Sequence, residues 1–194
     1  TGSVDIAAAT RTDVDGAIAL TGAGTVELDR ALVSGVNVTT VGGDITFDGA
    51  AATDGGAVAV GTGAGGGNVL FNNTLGLGGA LNVTAGSGTA TFTGLVTIDG
   101  NNLTVVSSDV TTLTGGIAGS TGSVDIAAAT RTDVDGAIAL TGAGTVELDR
   151  ALISGVNVTT VGGGITFDGA AATDTGAVAV GTGAGAGNVL FNNT

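Results

Sequence analysis

Gly43-Asp44-Ile45-Thr46-Phe47-Asp48-Gly49 is the stretch whose reading decides the fold. Ile45 and Phe47 are apolar and two residues apart, so both fall on one face of a strand and Thr46 on the other. Glycine and Asp-Gly, both turn formers, bound the segment. The same grammar lies on either side of it, in Gly24-Thr25-Val26-Glu27-Leu28 and in Gly67-Asn68-Val69-Leu70-Phe71. Each is a turn residue followed by a strand of four or five residues. Strands this short are not stable as isolated hairpins and need neighbours above and below.

The spacing of these strands says how the neighbours are supplied. Val4, Val26, Ile45, Val69 and Ala90 follow one another at 22, 19, 24 and 21 residues. A second series, Ile18, Val36, Val58, Leu81 and Val96, runs at 18, 22, 23 and 15. Both average about twenty, the coil length of a solenoid in which each turn lies on the one before. The expected fold is therefore all-β: a parallel β-helix with about 20 residues per coil. Phe47, Phe71 and Phe92 close strands of the first series, and Phe167 and Phe191 repeat the first two, so an internal phenylalanine ladder is expected. The runs Ala7-Ala8-Ala9 and Ala50-Ala51-Ala52 are read as loop. Tandem immunoglobulin-like sandwiches fit the length but not a chain without Trp or Tyr whose strands are this short.

A longer period overlies the coils. Residues 1–74 return as 121–194 at an offset of 120, with only Val33/Ile153, Asp44/Gly164, Gly55/Thr175 and Gly66/Ala186 differing. Residues 1–120 thus read as a complete unit and 121–194 as part of a second, within one continuous solenoid. About six coils per unit, at ~4.8 Å per stacked strand, give ~29 Å. The chain reads as a piece of a longer array.

Composition sets limits on chemistry. Glycine is 39 of 194 residues, proline is absent, and the net charge is −13. Such a surface repels phosphate backbones and anionic lipid, so nucleic acid is not an expected partner. No apolar run is long enough to insert in a membrane. His, Cys, Lys and Tyr are absent, which leaves carboxylates alone for acid–base work. No catalytic residue, cofactor site or metal site is assigned, and no enzyme is expected. Asp13-Val14-Asp15-Gly16 echoes part of a calcium loop, but Arg11 stands where the first Asp belongs. A turn in which Arg11 pairs with Asp13 or Asp15 is the first reading, and a bound divalent cation such as calcium is the alternative.

Two outward features single themselves out. Asp5 and Glu27 occupy matching positions in successive coils, where like charges repel. Arg30, Arg11 or a bound cation is expected beside them. Leu70 interrupts the alternation of Val69 and Phe71, and Leu75 and Leu77 follow closely. Leu70, with Leu190 in the second copy, is the candidate lateral contact, either between solenoids or with a loop of the same chain. The Asn-x-Thr triplets at Asn37, Asn72, Asn82 and Asn102 are read as corner asparagines.

Gly43-Asp44-Ile45-Thr46-Phe47-Asp48-Gly49 and Gly79-Ala80-Leu81-Asn82-Val83-Thr84-Ala85-Gly86 resemble the repeats of very long bacterial surface proteins, of the filamentous-haemagglutinin and autotransporter-adhesin kind. The likeness is one of style along the whole chain and carries over no functional residue. It implies a parallel β-helix, export to the cell surface or beyond, and a place in a surface fibre. Partners would be copies of the same chain, or a host or neighbouring cell surface. A rigid structural segment is the first function expected. An adhesin segment that binds a cell-surface glycan is the alternative.

Overall fold

Period-two alternation buries every second side chain. In the computed structural model, which describes residues 2–192, this builds 27 short strands and no helix among the described residues. The first coil consists of β1 (Val4–Ile6), β2 (Thr12–Val14) and β3 (Ile18–Ala19); the last consists of β25 (Ala172–Thr173), β26 (Val180–Gly181) and β27 (Val189–Asn192). Each strand pairs with the strand three places along, which gives three nine-stranded sheets, and every pairing is parallel. The chain is a β-solenoid of about 9 turns with roughly 21 residues per turn. Its three sheets pass without a break from the first sequence copy into the second. At the boundary β15 (Leu103–Ser107) pairs with β18 (Val124–Ala128), β16 (Val110–Leu113) with β19 (Arg131–Val134), and β17 (Ile117–Gly119) with β20 (Ile138–Leu140).

The first strand series lies along one sheet in register: Val4 opposite Val26, Val26 opposite Ile45, Ile45 opposite Val69, and Val69 opposite Ala90. The second series is corrected. Ile18 pairs with Val38 rather than Val36, and Val96 belongs to the second sheet, not the third. The underlying reason is that a coil has three strands, where the sequence pattern suggests two. The unrecognised side is made by β2, β5 (Ala31–Ser34), β8 (Ala51–Asp54) and their successors. The first three begin after Arg11, Arg30 and Ala50 rather than after glycine, and four of their six core residues, Thr12, Ala31, Ala51 and Thr53, are Thr or Ala. Ala51 and Ala52 are therefore strand, not loop, whereas Ala7 to Ala9 lie outside any strand.

The interior is continuous. Val26, Leu28, Ile45, Phe47, Val69 and Phe71 are buried; at the first coil the column opens, with Val4 half-buried and Ile6 exposed. Stacking supplies what no coil has alone, so stability is close to a sum over neighbouring coils. One corner brings successive coils into backbone contact. A Cβ at Gly43 would overlap the carbonyl of Gly24, one at Gly67 the carbonyl of Gly43, and one at Gly88 the carbonyl of Gly67. Only glycine allows that approach. Asparagines tie the coils together at the corners. Asn37 Oδ1 accepts from the Ala59 N–H at 3.1 Å, Asn68 Oδ1 from Thr89 N–H at 2.9 Å, and Asn102 Oδ1 from Ser123 N–H at 3.0 Å.

The unit does not hold six coils. Val4 opens β1 and its counterpart Val124 opens β18, seventeen strands later. At three strands per coil a unit is five and two-thirds coils, ~27 Å long at ~4.8 Å per rung. Seventeen is not a multiple of three, so β1 lies in the first sheet and β18 in the third. The second copy repeats the first, turned back by one face.

Candidate functional surface

Phe47 and Phe71 stack with ring centroids 4.7 Å apart and planes within 4°, and Phe71 and Phe92 at 5.1 Å and 7°. These three rings lie inside the first sheet. Phe167 and Phe191 stack at 4.9 Å inside the third, because their copy is turned by one face. The ladder holds the coils in register and offers nothing to a ligand except at its end, where Phe191 is 51% exposed in the last coil.

Outside the core, the sheets present columns of paired side chains. Asp5 stands opposite Glu27, and Asp29 opposite Asp48, on the first sheet. The second copy rebuilds the same four-acid stack on the third sheet, with Asp125 opposite Glu147 and Asp149 opposite Asp168. The Asp29–Asp48 pair was not singled out from the sequence. Its signal is an Asp directly after the last core residue of a strand, as in Leu28-Asp29 and Phe47-Asp48. Asparagine closes each stack: Asn72 Nδ2 donates to Asp48 Oδ1 at 3.0 Å, and Asn192 Nδ2 to Asp168 Oδ1 at 2.7 Å. Partial burial, then the charge of Asp125 and contact with Asp168, push the Glu147 carboxyl above the usual carboxylate range. Asp149 is also raised, first by partial burial and then by Asp168 and Asp125, with Arg150 opposing.

The arginines do not answer these acids as expected. Arg11 pairs with Asp13 at 2.5 Å, and Arg131 pairs with Asp133. Arg30 donates to the carbonyl of Ala9. No ion pair to Asp5 or Glu27 occurs among the described residues. The reason is position: Arg11 directly precedes β2 on the next side, and Arg30 turns the corner with φ near 48°. Among the described residues, no group of three or more His, Cys, Asp or Glu is arranged to hold a metal ion.

Leu70 is half-buried on the outer side of β10 (Val69–Phe71), between Thr46 and Thr91. Leu75 and Leu77 are buried in β11 (Leu75–Leu77) and do not extend a leucine patch. Leu190 is 49% exposed, but on the third sheet rather than the first. The two leucines therefore share no face. The surface carries shallow grooves, one of them beside the first acid stack and lined by Asp29, Arg30, Asp48 and Asn73 among others. Chemically the arrangement can stack, repel and accept hydrogen bonds. No family model matches the chain, and comparison with curated proteins and with solved structures finds no match.

Proposed function

We propose that the chain is a structural repeat segment of a very long secreted bacterial surface or extracellular filament protein, whose work is length and stiffness. One observation carries the reading: all three sheets run unbroken from one sequence copy into the next, with nine strands in each. Nine rungs at ~4.8 Å extend ~43 Å, and each further unit adds ~27 Å. Identity at all but four of the 74 overlapping positions supports the same reading. A scaffold gains from every copy, whereas a binding site usually departs from the symmetry of its surroundings. A location at the cell surface and kinship with filamentous-haemagglutinin-like repeats rest on the resemblance of the repeats. Growth by stacking coil on coil fits the geometry better than a leucine-mediated lateral contact, since Leu70 stands between threonines. Electron microscopy of arrays with two, four and six units tests the reading. Straight rods that lengthen by ~27 Å per unit are expected, and beads on flexible links would refute it. Specific retention of the chain on a glycan array would favour the adhesin alternative.

A further inference from the structure

Because the strand count of the unit is not a multiple of three, successive copies show different faces to their neighbours. In the first copy the third-sheet strands are β3, β6 (Val38–Thr39), β9 (Val58–Gly61), β12 (Leu81–Thr84) and β15. None of these carries a charged residue. The four-acid stack of that copy sits on the first sheet instead, at Asp5, Glu27, Asp29 and Asp48, and the second sheet carries Asp13 and Asp54. With six whole coils per unit this division would continue for the length of any array. One side would be an uncharged β-surface without end, a template for face-to-face association. The turn of one face per unit prevents this. It sets Asp125 directly on Thr104, and then adds Glu147, Asp149 and Asp168 on the face that the first copy leaves bare. Three units return the surface to its starting face after seventeen coils, ~82 Å.

We infer that the seventeen-strand unit is a guard against lateral self-association: by rotating the acid stack through all three faces, it denies a second copy of the chain a continuous uncharged face. The occupant that is kept off is defined by area. Nine rungs of ~4.8 Å and a strand width of ~13 Å make the third face ~560 Å². Two such faces would bury ~1,100 Å², just past the ~1,000 Å² that a specific interface needs. Without its acids this face would be large enough to pair two copies; with them, a parallel pairing sets carboxylate against carboxylate, and an antiparallel one buries carboxylates unpaired against the bare half of the partner. The inference concerns the filament reading, yet its tests use the chain itself, so either can fail alone.

The first test fixes the rotation. The chain has no cysteine, so introduced pairs are unambiguous. Thr104→Cys with Asp125→Cys should join through a short bifunctional thiol reagent, read as protection of both thiols in mass spectrometry. Thr112→Cys with Asp125→Cys should remain open. The reverse pattern would put the second copy on the first face and overturn the inference. The second test compares two variants of equal net charge by light scattering on a sizing column. Asp125→Asn/Glu147→Gln/Asp149→Asn/Asp168→Asn leaves the third-sheet strands uncharged throughout and is expected to double in mass at tens of micromolar. Asp5→Asn/Glu27→Gln/Asp29→Asn/Asp48→Asn keeps the third-face stack and is expected to stay monomeric. Equal behaviour of the two, with β-type circular dichroism retained in both, would show that total charge rather than its placement governs association.

Discussion

Phe71→Ala is the sharpest probe of stacked-coil stability. The ring is 2% exposed and lies between Phe47 and Phe92, so its loss removes two stacking contacts and leaves a void in the middle of the solenoid. About 130 Å² of apolar surface is lost from the core, ~3 kcal/mol at ~25 cal/mol per Å². Two aromatic pairs at ~0.5 kcal/mol or more each bring the cost to ~4 kcal/mol, within the usual range for Phe→Ala in a core. Phe191→Ala removes a half-exposed ring with one partner and should cost ~1.5 kcal/mol. Urea denaturation followed by circular dichroism near 218 nm measures both, since the chain has no Trp or Tyr for fluorescence. A Phe71→Ala cost no larger than that of Phe191→Ala would refute the claim that burial between two coils, rather than ring chemistry, sets the magnitude. Because each coil leans on its neighbours, Phe71→Ala should also admit protease cleavage near residues 60–80 before the rest of the chain is lost.

Three further outcomes are expected. Glu147 and Asp149 hold protons more tightly folded than unfolded, so their contribution favours the folded state at low pH and fades as pH rises through their raised folded values. Melting temperature should therefore rise as the pH is lowered from neutral towards the ordinary carboxylate range, and Glu147→Gln should flatten that rise; a melting temperature that falls over this window would contradict the assignment. Gly43→Ala drives a Cβ into the Gly24 carbonyl and should destabilise by ~2 kcal/mol or more, whereas Gly76→Ala meets nothing within 4 Å and should be neutral or gain ~0.5 kcal/mol in the same urea assay. Thr132 buries a hydroxyl without a hydrogen-bond partner, so Thr132→Val should stabilise by ~1 kcal/mol, and a loss would reveal a partner for that oxygen.

The local rules were legible in the sequence. Alternation around Ile45 and Phe47, glycine before the strand and Asp-Gly after it define a short strand wherever the chain is placed. The interval of about twenty residues then requires coils, because strands of this length are stable only when stacked. Asp5 beside Glu27 followed from the same spacing. What the sequence could not decide was the number of sides. β2, β5 and β8 use Thr12, Ala31 and Ala51 where other strands use Val or Ile, and their burial comes from neighbouring coils rather than from their own composition. Missing one side alters the strand count, and the strand count alone sets which face each copy occupies. Local spacing thus fixed the pairing of Val124 with Val146, as it had fixed that of Val4 with Val26. Only the closed three-sided winding, a sum over every strand between the copies, turned the second pair onto a different face from the first.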